Sequence, residues 1–278
     1  LEHPGMKQSF RLLIPVFLAY ASTKINVAVT FFLASLLPAG NISNLSYAYR
    51  IMQLPLGMFG VAVAVVSLPE LSRRAASKVD QYPYILASLR AVFLLSIPSG
   101  FFLFAVSLPV VRIIYEHVAF LAQDSLQTSA ILIFYLLGMP FIAGSKVIGN
   151  VYFSRKDTKI PMKISYISMI INILLASILL NRLGARGLAL AVSISGIVQF
   201  CLLIKPYRKA LIDSILFLIY LIFISIVATI PVIYIKRING DIISVIAGGL
   251  IFVLIFICLG YILKIEEICR LLKISKNR

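Results

Sequence analysis

Arg50 is the residue whose type and surroundings most clearly suggest chemistry, because it sits inside an apolar stretch on a regular polar stripe. Ser46, Arg50, Gln53, Gly57, Gly60 and Ala64 are spaced 4, 3, 4, 3 and 4, which puts them on one helical face. Ile51, Leu54, Met58, Phe59, Val61 and Val65 occupy the other faces. Small residues let helices approach closely, so Gly57 to Ala64 read as a packing seam. Arg50 does not fit a seam. A guanidinium offers planar paired donors that match phosphate oxygens. Three more cations, Lys24, Arg90 and Lys146, also fall within apolar stretches, whereas all ten acidic residues fall outside them or at their ends.

A charge at mid-bilayer costs at least about 2.5–3.5 kcal/mol and normally faces a partner or a water-filled cavity. An anionic ligand, a carboxylate from another chain, or a hydrated cavity would supply the compensation here. Arg90 lies roughly 9 Å inside one end of its stretch by helix rise, within snorkelling reach of the headgroups. Lys146 is open to snorkelling as well, or to a polar lining that it would share with Asn150 at i+4. Lys24 lies near the middle of its stretch and reads as a cavity residue. The candidate ligand-binding set is therefore Arg50, Lys24, Lys146 and Gln53.

The elements that must position these residues follow from composition. Of 278 residues, 61% are hydrophobic and 13% are charged, with 26 Lys+Arg against 10 Asp+Glu and a net charge of +16. A soluble domain of this size has nearly twice that charged fraction. The expected fold is all-α: a polytopic helical membrane protein with about eight transmembrane helices. Hydropathy places them at roughly 10–37, 42–68, 84–108, 125–152, 162–180, 187–204, 212–235 and 242–263. Pro38-Ala39-Gly40-Asn41 separates the first two, Pro69 is expected to close the second, and Pro55 to kink it beside Arg50. Asp157-Thr158 with Pro161 caps the fifth, and Gly187, Ala191 and Ser195 form a packing seam.

Basic residues concentrate in alternate connections, including Arg73, Arg74 and Lys78, then Arg155, Lys156 and Lys159, and finally the tail after Lys264. The positive-inside rule then puts both ends of the chain in the cytoplasm. The tail itself reads as a basic amphipathic helix on the inner leaflet. Basic groups in short runs between apolar stretches do not make a nucleic-acid surface. Cys201, Cys258 and Cys269 lack metal or disulfide spacing and read as packing residues. With two histidines, no Walker loop and no embedded carboxylate pair, the sequence offers no catalytic constellation, calls for no cofactor or metal, and is not read as an enzyme. The chain opens at Leu1, as a piece of a longer protein would.

The segment ending LASLLPAGNISNLSYAYRIMQLPLGMFGVAVAVVSLPELSRR resembles the seventh and eighth helices of the MurJ (MviN) lipid II flippases. VYFSRKDTKIPMKIS and LGARGLALAVSIS resemble that family's tenth-to-twelfth-helix region. The resemblance implies one six-helix lobe (residues 1–208) of a two-lobed transporter of the multidrug and oligosaccharidyl-lipid exporter superfamily. It also implies two further helices (209–263) forming a groove for a polyprenyl tail, then a basic cytoplasmic tail (264–278). The implied cargo is lipid II, carried across the bacterial inner membrane among membrane lipids, with an N-terminal lobe in the same or a separate chain as partner. Arg50 aligns with a cavity arginine in a YADR-like motif. Tyr49 and Thr30 stand where members commonly carry Asp, which leaves neutral groups such as Asn172 at any ion-coupling site. The alternatives are a flippase for another polyprenyl-linked sugar, a drug exporter, or a non-transporting scaffold.

Overall fold

The computed structural model describes residues 4–117, 119–238, 240–263, 265 and 267–269. The expected tail helix over 264–278 falls almost wholly outside the described residues. Eight helical segments are long and apolar enough to cross a membrane, and each overlaps one of the eight expected stretches. The described residues contain helices and no strands, as a bilayer interior requires of a chain that does not close into a barrel.

The first span is the C-terminal part of α1 (Pro4–Ala34). Gly40, at φ 91°, turns the chain into the second span, a conformation that favours glycine. That span is interrupted. α2 (Asn41–Pro55) passes into a π-helical turn over Leu56–Val61 and continues as α3 (Ala62–Ala76). The expected disturbance at Pro55 is thus a local widening of the helix, which absorbs the missing N–H. Pro69 does not close the span, contrary to expectation, for it lies inside α3. One turn earlier the Asn150 amide and the Ser67 hydroxyl both donate to the Ala64 carbonyl, at 2.6 and 3.0 Å, which ties this part of α3 to α6.

α4 (Tyr82–Ala105) is followed by a short non-spanning helix, α5 (Ser107–Tyr115). α6 (Ala122–Ser154) is the axial helix, the most deeply buried of the spans. Its glycines admit its neighbours: a Cβ on Gly138 would stand 2.5 Å from the Ser193 Cα, and one on Gly144 would stand 2.8 Å from the Phe200 ring. α7 (Lys159–Leu183) begins where the Asp157 carboxylate accepts the Ile160 N–H. α8 (Ala185–Ile204) packs along both α6 and α7. The Gly187 side of the expected seam meets the Leu179 backbone, and the Ser168 hydroxyl donates to the Ser195 carbonyl at 2.9 Å.

After the short α9 (Arg208–Ile212) come α10 (Ile215–Ile238) and α11 (Asp241–Ile262), which pair with each other and lean on α4 and α5. Ala105, Val106, Ala228, Val232 and Phe252 form a separate apolar cluster under this pair.

Candidate binding site: a cation-lined pocket and its open face

Five helices close on a pocket of about 160 Å³ lined by side chains of α1, α2, α6, α7 and α8. Lys146 and Gln53 both line it, with Tyr49, Thr30, Ser195 and Gln199. Lys146 is half-buried. Its side chain faces the pocket, so the snorkelling reading does not hold for it.

Lys24 and Arg50 do not line this pocket. Both are exposed, one on α1 and one on α2, two helices that contact each other. The Lys24 ammonium lies 5.2 Å from the centre of the Tyr20 ring, and the Arg50 guanidinium 6.0 Å from that of Tyr47. Rings at that distance attract a cation weakly, by about 0.5–1 kcal/mol when exposed, and among the described residues nothing accepts a hydrogen bond from the Arg50 guanidinium. Tyr47 stacks on Tyr115 at 4.3 Å with Phe120 edge-on at 5.5 Å. Burial pushes the Tyr115 phenol above its ordinary range while the nearby Arg50 charge opposes that shift. No carboxylate pairs with Arg50, Lys24 or Lys146 among the described residues.

The fourth embedded cation is different. Arg90 pairs with Glu267 at 3.2 Å, donates to the Asp213 carbonyl at 2.8 Å and lies over the Phe217 ring. The expectation that no acid in this chain could reach an embedded cation fails here, because folding brings together residues 177 positions apart.

Other polar clasps escaped the sequence reading, since none lies on a periodic pattern. The fully buried Asn172 of α7 donates to Asn26 at 2.6 Å and to Thr30 at 3.2 Å, which ties α7 to α1. Asn44 donates to Gln127 at 3.0 Å and accepts from Thr128 at 3.2 Å, which ties α2 to α6. Gln81 donates to the Leu71 carbonyl and to Ser154 and accepts from Arg155, which joins three spans at the basic side.

A second pocket, about 440 Å³ and apolar, opens between α4, α6, α8 and α10 and includes Phe93, Phe104, Leu137, Phe141 and Leu218.

An axial helix wrapped by five others, with polar side chains turned toward a shared pocket, is the lobe architecture of a multi-pass transporter. A solved transporter of the MOP superfamily from Pyrococcus furiosus has this fold, with a TM-score of 0.65 at 14% identity over 92% of this chain and 64% of that one. Residues 1–259 match the family described as "Lipid II flippase MurJ", and the chain belongs to that family. A solved structure titled "Lipid II flippase MurJ, inward closed conformation" superposes with a TM-score of 0.81 at 29% identity, over 92% of this chain and 54% of that one. "Probable lipid II flippase MurJ" of Vibrio cholerae is 34% identical over 206 residues, 73% of this chain and 39% of the relative. The chain thus spans about two fifths of the Vibrio cholerae relative and somewhat over half of the solved flippase.

Proposed function

We propose that this chain supplies one lobe and the two following helices of a lipid II flippase of the bacterial inner membrane. The observation that carries the reading is the pair of unneutralised cations, Arg50 and Lys24, exposed on adjoining helices at span depth in a chain of this family. Arg50 binds the pyrophosphate through its guanidinium fork. Lys24 and Lys146 raise the positive potential over the cavity, and Gln53 adds a neutral donor beside them.

Residues 1–208 form the six-span lobe. Residues 209–263, with the apolar pocket against α10, receive the polyprenyl tail. A partner lobe, in the same or a separate polypeptide, completes the cavity, and transport comes from rocking of one lobe against the other. Both ends of this chain lie in the cytoplasm, which sets the side from which the cargo is taken. The work is binding and movement without a covalent step.

The test is lipid II exposure to an external probe, in cells that depend on the complete protein carrying this lobe. Arg50→Ala should abolish exposure at normal expression, and Arg50→Lys should retain part of it, because an ammonium keeps the charge and loses the fork. Full exposure with Arg50→Ala would remove Arg50 from cargo binding. Rescue of a different polyprenyl-linked sugar pathway, without rescue of lipid II exposure, would favour the related-flippase reading.

A further inference from the structure

A third pocket, about 370 Å³, lies at the end of the lobe opposite the basic connections, between the turn into α2 and the α5–α6 connection. Its apolar part is three half-buried rings, Tyr47 stacked on Tyr115 with Phe120 edge-on to Tyr47. Its polar part is largely uncommitted. Among the described residues the Ser43, Tyr47 and Tyr115 hydroxyls and the His117 ring make no hydrogen bond. Asp124 accepts the Leu121 N–H through Oδ2 at 3.0 Å, while its Oδ1 lies by the Gly40 turn without a hydrogen-bond partner.

That mixture selects a class of ligand. Hydroxyls and a neutral imidazole both give and take hydrogen bonds, and a carboxylate takes them. Asp124 opposes an anion here, and the Arg50 charge, close enough to act on the Tyr115 phenol, opposes a cation. A neutral, hydroxyl-rich group with an apolar face fits both halves of the lining, and a saccharide is such a group. The volume is more than twice the roughly 150 Å³ that holds one benzene, which leaves room for a pyranose ring and its substituents.

The pocket is also in the right place. Ser43, Tyr47 and Arg50 are spaced 4 and 3, on one face of α2. Helix rise separates Ser43 from Arg50 by about 10 Å, and the guanidinium lies 6.0 Å from the centre of the Tyr47 ring that lines the pocket. In a polyprenyl-linked precursor the first sugar is bonded directly to the pyrophosphate, so a phosphate at Arg50 brings that sugar to the rings.

We propose that this pocket is a saccharide subsite, which takes the sugar bonded to the pyrophosphate at Arg50. The rings meet the C–H face of the sugar, and Ser43, His117 and Asp124 meet its hydroxyls. The inference rests on the cargo reading and assigns a place to the part of the cargo that Arg50 does not hold.

The test compares binding of lipid II and of sugar-free undecaprenyl pyrophosphate to the complete protein carrying this lobe, in nanodiscs with each lipid in both leaflets. The unaltered protein should bind lipid II about tenfold more tightly than the sugar-free lipid, the worth of one or two added hydrogen bonds. Ala119→Trp, which fills the pocket from an exposed lining position, should remove that preference, as should Ser43→Ala combined with His117→Ala. Both variants should bind the sugar-free lipid as before, which also shows that they fold. Arg50→Ala should weaken both lipids alike. No preference in the unaltered protein, a preference that survives both variants, or variants that weaken both lipids equally would overturn the subsite and leave the Arg50 reading standing. Binding of both lipids unchanged by Arg50→Ala would overturn the cargo reading, and the subsite with it.

Discussion

Asn172 shows how narrowly the interior polar groups are satisfied. Its amide nitrogen donates to Asn26 and Thr30, while its Oδ1 is buried without a partner. Interhelical hydrogen bonds in membranes contribute about 0.6 kcal/mol on average, and deleting the side chain also removes the stranded oxygen. Asn172→Ala should therefore cost only about 1 kcal/mol or less, read by reversible unfolding in mixed micelles. A loss several times larger would mean that the clasp is the main link between α7 and α1. Arg50 was legible in the sequence because its neighbours recur at helical spacing, so a one-dimensional pattern already fixes the face. Lys146 and Gln53 were legible as polar residues in apolar stretches, but the pocket that joins them was not, because it is assembled from five helices. Arg90 was misread for the same physical reason: its partner Glu267 is distant in sequence and arrives only when α10 and α11 fold back.

Helix-scale predictions follow from where backbones meet. Gly138→Ala places a methyl against the Ser193 backbone, which belongs to a neighbouring helix and cannot rotate away. Overpacking of that kind costs about 1–3 kcal/mol. Gly57→Ala meets nothing within 4 Å and should change the thermal midpoint little. Comparing the two midpoints in the same detergent checks the claim, and equal destabilisation would contradict it. The eight spans were readable because length and hydropathy alone select segments that can cross a bilayer. The π-turn over Leu56–Val61 was not, nor was the passage of α3 through Pro69, because both segments pack on α6, a contact that local sequence does not reveal. The short α5 escaped as a separate element because the apolar stretch of α4 runs straight into it.

For the molecule as a whole, two polar clamps fasten the α10–α11 pair to the rest. On the basic side Arg90 holds Glu267 and the Asp213 carbonyl, and the Tyr82 hydroxyl donates to Asp213. At the opposite ends Arg112 lies 3.4 Å from Glu116 and 3.6 Å from Asp241, while Lys236 donates to the Ala105 carbonyl at 3.3 Å. Arg90→Glu should raise amide exchange in α10 and α11 selectively, and adding Glu267→Arg should restore much of the protection. Uniform exchange across the chain in the single variant would instead mark Arg90 as a general folding determinant. Under the proposed function, a helix pair fastened at both faces would move with the rest of this chain. The cations at the centre of the account must then meet an aqueous, anion-receiving space between lobes. Reactivity of Arg50→Cys with a membrane-impermeant anionic thiosulfonate tests this most directly, in the complete protein with Cys201, Cys258 and Cys269 replaced by Ala. The account predicts rapid labelling that lipid II slows, with Leu54→Cys on another face of α2 left unlabelled. Inertness of Arg50→Cys toward that reagent, together with labelling by a lipid-soluble maleimide, would place the residue among acyl chains and contradict the account.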